Sequence, residues 1–120
     1  MIRRASKVDA NHSEIVAAFR QMSCSVQDLS RVGEGCPDLL VGFRGAHGEI
    51  CVAVEVKDGS RPPSGRKLNA RQMIWFNSWQ GAAEVVESVE QVAELVNSYR
   101  RGSRAKGRTT LSLPVGSGGS

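Results

Sequence analysis

Apolar residues recur at helical spacing early in the chain. Ile15, Val16, Ala18, Phe19 and Met22 follow Asn11-His-Ser-Glu14, whose Asn and Glu stand three apart as in a capping box. The pattern predicts an amphipathic helix. Residues 24–29 read as a short strand, and Gly33-Glu-Gly-Cys-Pro37 predicts a loop from its Gly and Pro content. Residues 38–43 and 50–57 are two β-rich runs separated by Arg44-Gly-Ala-His-Gly-Glu49, which predicts a hairpin with a longer loop. Residues 58–67 are polar and carry Pro and Gly, which predicts a mobile connection. Leu68 then precedes a second helix capped by Asn69, running through Trp75 to Trp79 and stopped at Gly81. A strand is expected at Ala82–Val86. Ser88-Val-Glu-Gln91 opens a last helix with Val89, Val92, Ala93, Val96 and Tyr99 on one face. After Tyr99 the periodicity ends, so one folded domain is expected over residues 1–99 and a basic, Gly/Ser-rich disordered tail over 100–120.

The hairpin carries the chemistry. Pairing its strands outward from the loop sets Phe43 opposite Ile50, Leu40 opposite Ala53 and Asp38 opposite Glu55. A period of two then sorts the side chains by face. One face receives Leu39, Val41, Phe43, Ile50, Val52, Val54 and Val56, all apolar. The other receives Asp38, Leu40, Gly42, Cys51, Ala53, Glu55 and Lys57. The register that collects the apolar residues therefore also gathers two carboxylates and a lysine at one end of the opposite face. Opposed Cβ atoms lie about 4.5–5.5 Å apart. Carboxylates at that range repel unless a cation sits between them. A hard divalent ion with oxygen ligands fits, Mg²⁺ with Mn²⁺ able to substitute. The Val56 carbonyl is a candidate further ligand, and Lys57 can hold a water or a phosphate oxygen beside the metal. Taken singly, a strand-end Glu-x-Lys is a solvated pair and an Asp after Pro a turn residue. Their conjunction is what points to a site.

Charge extends the picture. At 120 residues, the chain has 16 Lys and Arg against 12 Asp and Glu, a net +4 that favours a polyanionic partner. Arg61, Arg66, Lys67 and Arg71 form a run without an acid, as do Arg100, Arg101, Arg104, Lys106 and Arg108. Cys24, Cys36 and Cys51 are odd in number and widely spaced, which argues against a disulfide framework or a zinc site and suits a reducing cytoplasm. Cys24 and Cys51 are expected to be buried thiols. No apolar run reaches the ~18 residues of a membrane span.

Gly35-Cys-Pro-Asp38 followed by Glu55-Val-Lys57 resembles the PD-(D/E)xK nuclease signature. More widely, Glu14, Gly35-Cys-Pro-Asp-Leu-Leu-Val-Gly42, Val54-Glu-Val-Lys-Asp-Gly59, and Leu68-Asn-Ala-Arg-Gln72 with Trp75 resemble the virus-type replication-repair nuclease (VRR-NUC) family, over about residues 9–96. The resemblance implies an α/β, restriction-endonuclease-like αβββαβ core with a small mixed sheet flanked by helices. It also implies divalent-metal hydrolysis of DNA phosphodiesters and, as in small stand-alone phage and bacterial members, a homodimer cutting four-way junctions. It gives Asp38 and Glu55 the role of metal ligands, Lys57 that of catalytic lysine, and places Glu14 and Gln72 in the site. Glu14 with Asn11, and Gln72 with Asn69, equally fit capping boxes. Trp75 and Trp79, one turn apart, suit core or dimer packing.

The expectation is a metal-dependent, structure-selective endodeoxyribonuclease acting as a Holliday-junction resolvase, with Arg61, Arg66, Lys67 and Arg71 holding flanking phosphates. The alternatives are a non-catalytic basic nucleic-acid-binding module and a monomeric flap or nick nuclease. Restriction-like reading of a specific duplex lacks any obvious recognition insertion.

Overall fold

A computed structural model describes residues 9–104. The elements are α1 (His12–Gln21), β1 (Ser25–Asp28), β2 (Leu39–Gly45), β3 (Gly48–Val56), α2 (Ala70–Ser78), β4 (Ala82–Val86) and α3 (Val89–Arg101), with a 3₁₀ turn at Pro63–Gly65 before α2. The strands form one mixed sheet in the order β1-β2-β3-β4, with β3 and β4 parallel and the other neighbours antiparallel. This is an α/β domain with the expected element order. Among the described residues no helix is long and apolar enough to cross a membrane.

The hairpin has the register that its alternation requires: Phe43 pairs with Ile50, Leu40 with Ala53 and Leu39 with Val54. Its loop is shorter than expected. Gly45 pairs with Gly48, leaving Ala46-His47 as a two-residue turn, and Gly48 has φ +117°. The apolar face meets α1 and α3, where Leu39, Val41, Val52 and Val54 are fully buried with Ile15, Phe19, Val92 and Val96. α2 covers the opposite face with a second cluster of Ala53, Phe76 and Ala83, flanked by Leu68, Trp75 and Val85. That cover is partial. Cys24 is buried as expected, but Cys51 is exposed, because α2 packs over Ala53 and not over the loop end of β3.

The helix starts differ from one another. Asn69 caps α2 in a complete capping box with Gln72. Ser88 caps α3 through the Gln91 N–H, while the Gln91 side chain accepts from Glu87 N–H rather than from the cap residue. At α1 the expected box is absent: the Asn11 side chain makes no capping bond. Its Nδ2 instead donates to the carbonyls of Lys57 and Glu87, both at 3.1 Å.

Two segments without a periodic pattern in the sequence make contacts in the fold. Within residues 58–67 the Asp58 carboxylate accepts from the Ser60 N–H and hydroxyl, and Arg66 donates to the Arg61 carbonyl at 2.7 Å. α3 runs past Tyr99 to Arg101 and ends on Gly102, whose φ of +85° suits a left-handed cap. Arg100 donates to the Met22 carbonyl, and Arg104 pairs with buried Glu84, so the fold includes the first basic residues of the expected tail. The rest of that tail lies outside the described residues.

Candidate metal and phosphate site

Where the β2–β3 ladder ends, Asp38 takes over from it. Its Oδ2 accepts the Val56 N–H at 2.9 Å, so the carboxylate closes the ladder beyond the Leu39–Val54 pair. A strand residue's N–H and C=O project to the same edge, which puts the Val56 carbonyl on the Asp38 side as well. Glu55 follows from β3 and is only 3% exposed. Lys57 Nζ lies 3.5 Å from Glu55 Oε2. The sequence-derived trio of Asp38, Glu55 and Lys57 thus lines one cavity of about 410 Å³.

Gln72 sits in the same cavity and fills both roles that its sequence allowed. Its Oε1 accepts from the Asn69 N–H as the second half of the capping box, and also from Lys57 Nζ, each at 2.9 Å. Its Nε2 donates to Glu55 Oε2 at 2.9 Å. One amide therefore orients the lysine and the buried carboxylate together, and the start of α2 fixes the amide. The remaining oxygen of the pair, Glu55 Oε1, is buried without a hydrogen-bond partner. An orphaned acceptor of this kind costs about 1–3 kcal/mol, more when charged.

Two carboxyls of raised pKa share the cavity. Burial, then the nearby Asp38 charge, push Glu55 up to about 8, with Lys57 opposing. Burial also raises Asp38, against the lowering effect of the Val56 N–H. A divalent ion among these oxygens would replace the proton that the cavity otherwise favours. Among the described residues no three Asp, Glu, His or Cys side chains converge as a preformed cage, so the Asp38–Glu55 pair, the Val56 carbonyl and solvent are the donors at hand.

The other expected residues scatter. Glu14 is exposed and lines a neighbouring groove with Asp58, Ser60 and Glu87. Arg71 borders the cavity but is paired at 2.6 Å with Glu34, both well exposed, a contact worth about 0–1 kcal/mol and easily exchanged for a phosphate. Arg61 and Lys67 are exposed. Arg66 is engaged, its guanidinium bonded to the Arg61 carbonyl and the Glu87 carboxylate, so it holds the 58–67 segment against the end of β4. Sequence reasoning missed Asp9, Glu34 and Cys36 at the cavity wall, since none stands in a periodic or capping pattern.

The loop before Asp38 is tightly seated. Gly33, Glu34 and Gly35 all have positive φ, and a Cβ on Gly35 would lie 2.5 Å from the Arg71 carbonyl oxygen. Gly35→Ala is expected to destabilise the fold by about 1–3 kcal/mol and to displace the cavity wall, read by thermal unfolding. An unchanged melting temperature would mean that the loop and α2 separate freely.

Comparison of the chain with protein-family models, with characterised proteins and with solved structures finds no match in any of the three. The chemistry of the site therefore rests on its own geometry.

Proposed function

We propose that the chain is a divalent-metal-dependent endodeoxyribonuclease of the VRR-NUC type. The observation that carries this reading is the buried, unpartnered Glu55 Oε1, in one cavity with Asp38 and beside Lys57. A Mg²⁺ or Mn²⁺ ion bound there would activate water and polarise the scissile phosphate. Lys57, held by Gln72, would offset charge developing on the phosphorane-like transition state. Arg61, Lys67 and Arg71 would grip flanking phosphates, contacts that position DNA without reading its sequence. The proposed substrate is accordingly chosen by shape, a four-way junction. Two sites on the twofold axis of a homodimer would cut it symmetrically. Ile74 on α2 and Trp79 just after it, 69% and 41% exposed, are apolar area that a second copy could cover.

The test is cleavage of a labelled four-way junction beside its linear duplex, with Mg²⁺ and with EDTA. Symmetric, Mg²⁺-dependent cutting of the junction is expected. Binding of both DNAs without metal-dependent cutting of either would reject the enzyme and leave a basic binding module.

A further inference from the structure

The cavity holds an acidic side chain not yet given a role. Asp9 lines it with Asp38, Glu55 and Lys57. Its charge disfavours ionisation of both other carboxylates, as a neighbour within electrostatic reach would. Glu14, which the family resemblance puts in the site, lines the adjacent groove instead.

A tether explains the exchange. The Asn11 side chain is bonded to the carbonyls of Lys57 and Glu87, the residues that follow β3 and β4. The chain entering α1 is thereby fixed across the end of the parallel strand pair. A turn closed by the His12 N–H on the Asp9 carbonyl, at 3.0 Å, then carries Asp9 to the cavity just ahead of the helix. Glu14, one helical turn further on, falls on the other side of the tether.

We infer that Asp9 is a third carboxylate ligand for the divalent cation held by Asp38 and Glu55. Acidity alone does not carry this. Glu55 supplies an independent sign, because a carboxylate oxygen buried without a donor at the cavity wall is an acceptor that a cation in the cavity would satisfy. Among the described residues the three carboxylates do not converge as a preformed cage, so the assignment requires Asp9 to turn toward the Asp38–Glu55 pair when the ion binds. A change of side-chain rotamer at Asp9 is the movement this calls for. A third negative oxygen ligand would raise affinity for a hard cation, which depends on the charge count of the ligands.

This inference rests on the metal-binding reading, and the experiment separates the two. Mn²⁺ binding to the full chain is measured by titration calorimetry without DNA, with thermal unfolding in EDTA as a folding control. The variants are Asp38→Asn, Asp9→Asn, Asp9→Ala and Glu14→Gln. Asp38→Asn should lose binding, both Asp9 variants should weaken it by roughly tenfold or more, and Glu14→Gln should stay within about twofold of the native chain. Native affinity in folded Asp9 variants, with Asp38→Asn weakened, overturns the Asp9 assignment alone. So does a Glu14→Gln loss as large as that of Asp9→Asn. If the native chain binds no Mn²⁺, the metal site and the role of Asp9 fall together.

Discussion

Asp38→Asn should lower the cleavage rate at saturating DNA by about 1,000-fold or more, roughly 4 kcal/mol of transition-state stabilisation. The substitution is nearly isosteric, and the Asn oxygen can still accept the Val56 N–H that Asp38 takes at 2.9 Å. The end of the β2–β3 ladder therefore survives, and DNA affinity, which the proposed reading assigns to Arg61, Lys67 and Arg71, should change little. What is lost is one negative oxygen ligand. Single-turnover cleavage with excess enzyme isolates the chemical step, and circular dichroism checks the fold. Native turnover in a folded Asp38→Asn protein would reject the metal-site assignment. Lys57→Ala should also act on the rate rather than on affinity, since in the proposed mechanism its charge acts as the phosphorane forms.

The second large effect is on stability and its pH dependence. Burial above all lifts Glu55 from an ordinary carboxyl's 4.5 to about 8 in the fold. The folded state then holds a proton that the unfolded chain releases. Stability from this group is fully present below about pH 4.5 and is lost as pH rises through about 8. Each unit of that window corresponds to about 1.4 kcal/mol, so the loss across it amounts to several kcal/mol. Asp38, also raised, adds in the same direction. Glu55→Gln cannot ionise and should flatten the slope. Across that window, in EDTA, the native chain should melt progressively lower as pH rises, and Glu55→Gln should fall much less. Mg²⁺ should restore the native chain at alkaline pH by binding only the folded state, with little effect on the variant. Parallel pH profiles for the two proteins would show that Glu55 does not titrate as its burial requires.

The basic residues divide by what they touch. Arg66 belonged to the expected phosphate-binding run, yet its guanidinium is tied to Glu87 and to the Arg61 carbonyl. Arg61 and Lys67 remain exposed, and Arg71 is paired only with exposed Glu34. Composition shows a run of like charge but not which members already have partners across the fold.

The hairpin, its two faces and the trio at its end were legible in the alternation of the chain. A strand has a side-chain period of two, so one register buries Leu39, Val41, Val52 and Val54, and that register leaves Asp38, Glu55 and Lys57 together. The Asn69–Gln72 box was legible for a similar reason, because its partners stand three residues apart. Contacts between residues far apart in the chain set the rest. The bonds of Asn11 to Lys57 and Glu87 span 46 and 76 residues, and no local pattern distinguishes them from the capping bond that Asn11 could have made. That choice puts Asp9 rather than Glu14 at the cavity. Cys51 is exposed for a matter of length: α2, about 13 Å long, cannot cover a β3 of about 30 Å. Periodicity assigns a residue to a face, but only packing decides which part of that face another element reaches.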